Sequence, residues 1–276
     1  MHNRWDTLTM LHWSYEPAVV QRLLPPGLQV ETWDDRAWVG LVPFFMQVRA
    51  PGQPWWPRLG RFAETNVRTY VRRSDGCDAV AEQSRVPRSW SLRSRAARAT
   101  GARARAAQSL PANPTGAPSA VRGADGNPGV WFFSLEAARL GVVAIGRGGY
   151  GVPYFWAKMR REQRGDVWEY ESSRRWPGPR RAHCRVRVKV GAEYGAGEAT
   201  DFEHWLSARW RLYGELRSGR LITAEAHHER WPLFHAEVLE CDQSLLRACG
   251  LPAASAAPIA HWSPRVTVRI GRPGRC

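Results

Sequence analysis

Alternation of residue character with a period of two sets the tightest limit on what this chain can fold into. From Phe62 to Val71, residues Ala63, Thr65, Val67, Thr69 and Val71 fall on one face, while Phe62, Glu64, Asn66, Arg68 and Tyr70 fall on the other, because successive Cβ atoms of a strand point to opposite sides. The first face suits a core. The second sets a carboxylate, an amide and a guanidinium between two aromatic rings, an unusually polar face for a strand. Ala182, Cys184, Val186, Val188 and Val190 alternate in the same way with His183, Arg185, Arg187 and Lys189, the pattern of an antiparallel strand half exposed to water. Further strands are expected at Thr7–Trp13, Ala37–Val48, Val130–Leu135, Tyr154–Glu162, Val167–Ser173, Arg209–Tyr213, Leu221–His228 and Val266–Ile270.

Helical signals are short. Glu16-Pro17 opens a helix running to Leu24, with proline at a favoured first-turn position and Pro25-Pro26-Gly27 ending it. Asp201–Leu206 and Asp242–Cys249 are two more, the latter closed by Gly250 and Pro252. Many short strands separated by turn signals predict a mainly β fold, an antiparallel curved sheet or β-barrel-like structure with a few short peripheral helices. A chain of 276 residues can bury a sizeable core without staples, and residues 1–276 are read as a single β domain.

One stretch breaks that domain. From Cys77 to Gly126 the chain is rich in Arg, Ala, Ser and Pro, and its only aromatic is Trp90. Such a segment buries too little apolar area to offset its ordering entropy, so 77–126 is predicted to be a disordered insertion. Its flanks, Arg73-Ser-Asp-Gly76 and Asn127-Pro-Gly-Val-Trp131, would otherwise join as a hairpin. Lengthening a loop from about five to about fifty-five residues costs on the order of 2 kcal/mol, which a fold of this size tolerates.

The formal charge of +15 raises the question of nucleic acid. Only Lys158 and Lys189 are lysines, and the arginines are scattered along the chain alongside abundant Ala, Pro, Gly and Trp. That distribution points to a compositional bias rather than a phosphate-binding stripe. Five cysteines, at 77, 184, 241, 249 and 276, form no Cys-x-x-Cys pair, which argues against a disulfide framework or a zinc knuckle. The opening residues lack an apolar signal core, and the longest apolar stretch, Trp38 to Met46, is far short of the ~20 residues a membrane helix needs. A cytoplasmic protein with reduced thiols and no membrane partner is expected. Glu225, His227 and Glu229 share one strand face and Ala226, His228 and Arg230 the other, so the adjacent histidines diverge and no ligand spacing with His12 or His235 calls for a metal. Gly146, Gly148, Gly149 and Gly151 lack the spacing of a phosphate-binding loop. No cofactor is predicted, and the sequence does not reveal the oligomeric state.

Seven blocks in order carry a resemblance: Leu11-His-Trp13, Leu23-Leu-Pro-Pro-Gly-Leu28, Trp38-Val-Gly-Leu-Val-Pro-Phe44, Glu64-Thr-Asn-Val-Arg-Thr-Tyr-Val71, Gly129-Val-Trp-Phe-Phe-Ser-Leu135, Gly151-Val-Pro-Tyr154 and His228-Glu-Arg-Trp-Pro-Leu233. Together they resemble the YqjF-like family of uncharacterised bacterial proteins, domain of unknown function 2071, within the wider acetoacetate-decarboxylase-like superfamily. The resemblance implies an antiparallel β fold curled around an internal pocket, with a carboxylate at a position similar to Glu64. In the decarboxylases a Gly-aromatic-Pro turn precedes two adjacent lysines, one of which forms a Schiff base because its neighbour's charge and an apolar pocket depress its pKa. Here Tyr154 and Phe155 stand at the matching positions. A phenol forms no imine, so the resemblance implies a retained pocket without the family chemistry. Lys158 would lie about 13 Å beyond Tyr154 along a strand and is read as an exposed basic residue.

These readings combine into candidate roles. Glu64 would hold or relay a proton, Arg68 would bind a substrate carboxylate by a bidentate fork, and Tyr154, fixed by the Gly-Val-Pro turn, would polarise a carbonyl. His12, Asn66 and Tyr70 are candidate substrate-binding residues. The function expected is a small-molecule pocket acting as a metal-free lyase, isomerase or hydrolase on small organic acids. A non-catalytic small-molecule or lipid-binding protein, and nucleic-acid association through the basic insertion, are the alternatives.

Overall fold

The computed structural model describes residues 2–49, 60–74 and 127–276; the predicted insertion at 77–126 lies outside them. The strands are β1 (His2–Tyr15), β2 (Leu28–Val30), β3 (Thr32–Trp33), β4 (Arg36–Arg49), β5 (Arg61–Arg73), β6 (Gly129–Ala137), β7 (Tyr154–Arg164), β8 (Val167–Trp176), β9 (His183–Glu193), β10 (Arg211–Glu215), β11 (Leu221–His227), β12 (Phe234–Gln243), β13 (Ile259–Ile270) and β14 (Gly274–Arg275). They form one mainly antiparallel sheet in the order β14-β11-β10-β6-β7-β8-β9-β12-β13-β1-β4-β5-β2, with β3 beside β4. The sheet also pairs β5 with β6 and β11 with β13. Two closed circuits of paired strands therefore share β13, β1, β4, β5 and β6.

The shared strands are covered on both faces, and their sequences show it. In β4, Ala37, Val39 and Leu41 enter one core while Val42, Phe44 and Met46 enter another, which accounts for the unbroken apolar run across Ala37–Met46. β1 makes the same division with a bulge. Its register against β4 slips by one residue between Asp6 and Leu11, and Thr7 adopts a φ of 54°. The extra residue lets Trp5 and then Leu8 and Met10 face the same core, although their spacing breaks the period of two. In β9, Cys184, Val186 and Val188 are buried while Arg185 and Lys189 are exposed, as the alternation predicts.

The helices are α1 (Pro17–Gln21), α2 (Leu140–Gly149), α3 (Asp201–Ser207) and α4 (Leu245–Ala248). Three of these meet the sequence expectation in place, though two are shorter. α1 stops before Leu24, where the following prolines disfavour the α region, and Asp242 and Gln243 belong to β12 rather than to α4. α2 and β12 were not anticipated. Four glycines among the ten residues of α2 masked its helical period, and β12 alternates only between half-buried and exposed positions. No helix among the described residues is long and apolar enough to cross a membrane.

α3 begins with a reciprocal cap. The Phe202 amide donates to Thr200 Oγ1 at 3.2 Å and the Thr200 amide to Glu203 Oε2 at 2.8 Å, so two otherwise orphaned donors are satisfied. This helix delivers Leu206, Ser207 and the following Arg209 to the interior. Thr200→Ala is expected to cost about 1 kcal/mol, measured as a lowered urea midpoint with an unchanged m-value.

Candidate functional site

The polar face of β5 opens into a cavity of about 470 Å³, lined in part by Phe62, Glu64, Asn66 and Arg68 from that strand. Neighbouring strands supply Trp5, Phe44 and Met46, while α2 and the turn after it supply Ile145, Gly146, Val152 and Tyr154. The lining is apolar over most of its surface, so a charge within it has little solvent to rely on. Glu64, 2% exposed, is the one acidic side chain among the described residues of the lining. Tyr154 Oη donates to Glu64 Oε2 at 2.8 Å.

Burial pushes the Glu64 carboxyl from its ordinary 4.5 up to about 8, and the Tyr154 hydrogen bond offsets only part of that rise. The Tyr154 hydroxyl is itself raised well above its ordinary value, first by burial and then by the neighbouring carboxylate. At neutral pH the pair is therefore a carboxylic acid beside a phenol, close enough to share a proton with a third group.

Backbone constraints place the Tyr154 ring. Gly151 takes a φ of +57° and packs so closely on β10 that a Cβ there would meet Glu215 O at 2.6 Å, so the turn needs glycine on both counts. A Cβ on Gly146 would sit 2.2 Å from Tyr154 Cδ2; the ring lies directly on the backbone of α2. Phe155 turns the other way, with the Arg174 guanidinium 3.5 Å from its ring centroid. That arginine grips Glu136 through both Nε and Nη2, in a pair buried on both sides. A register slip between Trp156 and Ala157 shifts the phase of β7, so Ala157 is buried and Lys158 exposed. The face shared with Tyr154 that a regular strand would give Lys158 is lost at this bulge, and the lysine is the exposed residue expected.

Arg68 reaches away from Glu64. Its Nη2 donates to Leu206 O at 3.3 Å, and its guanidinium carbon lies 6.0 Å from the Tyr70 ring centroid. Tyr70 Oη donates to the same carbonyl, so His12 Nε2, 2.7 Å from that oxygen, must be the donor to it. Burial first, then Arg68 and His261, hold the His12 pKa well below the usual range, so the ring is neutral at neutral pH and the donation sets its Nε2–H tautomer. Of the three binding residues expected from sequence, Asn66 lines the cavity, whereas His12 and Tyr70 do not. They form a layer behind Arg68, where Gly40 makes room: a Cβ at that position would lie 2.9 Å from His12 Nε2.

Sequence reasoning missed Arg209, which lines the same cavity and is 7% exposed. Its Nη1 pairs with Glu31 at 3.1 Å, and its guanidinium carbon lies 4.9 Å and 4.5 Å from the Tyr70 and Trp205 ring centroids. Trp231 Nε1 donates to His228 Nδ1 at 3.0 Å and His228 Nε2 to Arg209 O at 2.9 Å, fixing its backbone. His228 thus packs inward, while His227 is exposed beside Glu225. An arginine set between Trp205-Leu206 and Trp210 was the available signal. Among the described residues no group of three or more His, Cys, Asp or Glu side chains could hold a metal ion.

Comparison with known proteins places this geometry. The profile of the DUF2071 family, described as an uncharacterized conserved protein, matches residues 2–108 and 120–267. The uncharacterized protein YqjF of Bacillus subtilis (strain 168) is 25% identical over 269 residues, covering 97% of this chain and 89% of that one. Acetoacetate decarboxylase from Legionella pneumophila is similar in fold, with a TM-score of 0.57 at 11% identity over 99% of this chain and 86% of that one. The enduracididine biosynthesis enzyme MppR complexed with pyruvate gives a TM-score of 0.59 at 10% identity over 99% and 89%.

Two measurements check the site. Gly146→Ala is expected to cost about 1–3 kcal/mol by overpacking against the tyrosine ring, and to be neutral or stabilising in a Tyr154→Ala background, where only the helix preference for alanine remains. The second concerns pH. Folded Glu64 keeps its proton up to about pH 8, whereas unfolded it releases it near 4.5. Between those values the native state holds more protons, so Glu64 makes stability fall as pH rises. Glu64→Gln is expected to gain stability over the parent across that window, by up to several kcal/mol at about 1.4 kcal/mol per unit. His12 acts in the opposite sense below about pH 6.5 in both chains, so the difference between their unfolding curves isolates Glu64.

Proposed function

Since the chain belongs to the DUF2071 family and has an acetoacetate-decarboxylase-like fold, we propose that its cavity is a small-molecule site for metal-free proton-transfer chemistry on oxygenated organic acids, without a Schiff base. The reading rests on one observation: the Tyr154 hydroxyl donates to Glu64 inside a cavity whose wall also holds buried arginines. MppR in complex with pyruvate supplies a precedent for an oxo acid on this scaffold.

In its carboxylate form Glu64 takes a proton from the carbon next to a substrate carbonyl. As Glu64 gains that proton it releases the Tyr154 hydrogen bond, and the phenol turns its one hydrogen to the carbonyl oxygen, which gains negative charge as the enolate forms. Glu64 then returns the proton to the same carbon, which is exchange, or to a conjugated carbon, which is isomerisation, or the enolate expels a neighbouring group that takes up the proton from Glu64, which is elimination. Arg68 neutralises the substrate carboxylate and Asn66 offers a further polar contact. A pKa near 8 suits a base of this kind, since it is strong yet partly deprotonated near neutrality.

The apolar lining gives weight to a second reading, a non-catalytic binding protein with the same cavity. We also read residues 1–276 as one cytoplasmic domain interrupted at 77–126. The direct pairing of the flanking strands, with Val71 opposite Gly129, supports that reading.

The test is solvent-deuterium incorporation, followed by NMR, into oxo acids that differ in the distance from carboxylate to carbonyl: pyruvate, acetoacetate, levulinate and a methyl-ketone derivative of octanoic acid. Exchange above background on at least one acid is expected, rising with pH to a plateau above about pH 8. Glu64→Gln and Tyr154→Phe should each lower it by about a hundredfold or more. Retention of exchange in both variants would overturn the catalytic reading. Thermal stabilisation of about 2.7 kcal/mol by a ligand at 100 times its Kd, with no exchange in the parent, would favour the binding protein.

A further inference from the structure

The two polar ends of the cavity are far apart. Glu64 and Arg68 stand four residues apart on β5, about 13 Å at ~3.3 Å per residue, and the Arg68 side chain reaches toward Tyr70 and Leu206 rather than back toward Glu64. The Arg209 guanidinium carbon lies 4.9 Å from the centroid of the same Tyr70 ring. The two guanidiniums therefore meet at one tyrosine, at the end of the cavity remote from the Tyr154–Glu64 pair.

That end is built to take an anion. Arg209 spends Nη1 on Glu31, but its Nε and Nη2, both buried, have no hydrogen-bond partner among the described residues, and neither does Arg68 Nε. Nε and Nη2 form the edge by which Arg174 grips Glu136 elsewhere in this chain, so Arg209, a residue of the cavity wall, keeps unspent the same fork that binds a carboxylate side-on. Arg68 joins no ion pair among the described residues, leaving Glu31 as the sole acid against two buried cations. A buried charge left uncompensated is costly. A ligand's negative charge offsets this excess, and Arg211, half-buried, adds a third guanidinium to the cavity lining.

Between the ends runs an aromatic wall. The Arg68 guanidinium carbon lies 5.9 Å from the Trp231 ring, Trp231 lies 5.8 Å from Trp5, and Trp5 lies 5.5 Å from Phe44, the cross-strand partner of Glu64. We infer that the cavity takes an amphipathic monocarboxylic acid, with its carboxylate held by the Arg209 Nε/Nη2 edge and Arg68, its apolar body along Trp231, Trp5 and Phe44, and any distal carbonyl at Tyr154. This deepens the reading of the cavity as a small-molecule site and rests on it. Short oxo acids such as pyruvate cannot reach both ends at once.

Direct binding of acetate, octanoate, octanamide and octanol, followed by titration calorimetry, tests the anchor. Octanoate is expected to bind at least about tenfold more tightly than octanamide or octanol and about a hundredfold more tightly than acetate. Arg209→Lys keeps a cation beside Glu31 but loses the forked edge; it should abolish most of the carboxylate preference while leaving octanol affinity within about twofold. Equal binding of octanoate and octanol by the parent chain overturns the inference, and so does an undiminished preference in a folded Arg209→Lys chain. If that variant does not fold, the parent's preferences among the four ligands decide alone. Octanoate carries no carbonyl, so this test can fail while deuterium exchange on oxo acids persists, or succeed while exchange is absent.

Discussion

A carboxyl group taken out of water must shed its charge or find enough donors to keep it. Glu64 has one donor, the Tyr154 hydroxyl, and that is too few to hold the anion at neutral pH. The consequences spread through the site. The phenol must stay on the carboxyl to satisfy it, the helix that carries Gly146 must stay on the phenol, and the turn at Gly151 must stay pressed on β10 to hold both. A neutral acid beside a neutral phenol also leaves the formal charge of the described lining to its arginines, Arg68, Arg209 and Arg211.

The strand that matters most for the site was legible because it lies on a single segment. The alternation from Phe62 to Val71 assigns Glu64, Asn66 and Arg68 to one face, and the cavity lies on that face. The continuous apolar run of β4 and the half-exposed β9 were readable for the same local reason. Arg209 was not, since its role comes from the end of α3 meeting Tyr70 of β5 and Glu31 across more than a hundred residues of sequence, a convergence that no local period encodes. The helix over Tyr154 escaped as well, because glycine is a poor helix former in isolation and its reason for being there is a contact with a ring that follows it in the chain. Tyr70 was assigned the face of Glu64 and His12 no face at all, and both stop one layer short of the cavity, a distinction of depth that face assignment does not carry.

Two circuits of strands share one five-stranded wall, and this explains how a single chain keeps a cavity open beside a packed core. The circuit through β7, β8, β9 and β12 is filled by Leu11, Val39, Val186, Leu245 and their neighbours. The circuit through β10 and β11 encloses the cavity. The filled side bears the burial that stabilises the shared strands, so the hollow side can carry polar groups that contribute little to folding.

The close seat of the Tyr154 ring on Gly146 also ties two positions together. A ring at 154 escapes overpacking only beside a glycine at 146, since a Cβ there would sit 2.2 Å from it. A linear side chain at 154 makes no such demand. While the phenol stands there, position 146 is not free to drift.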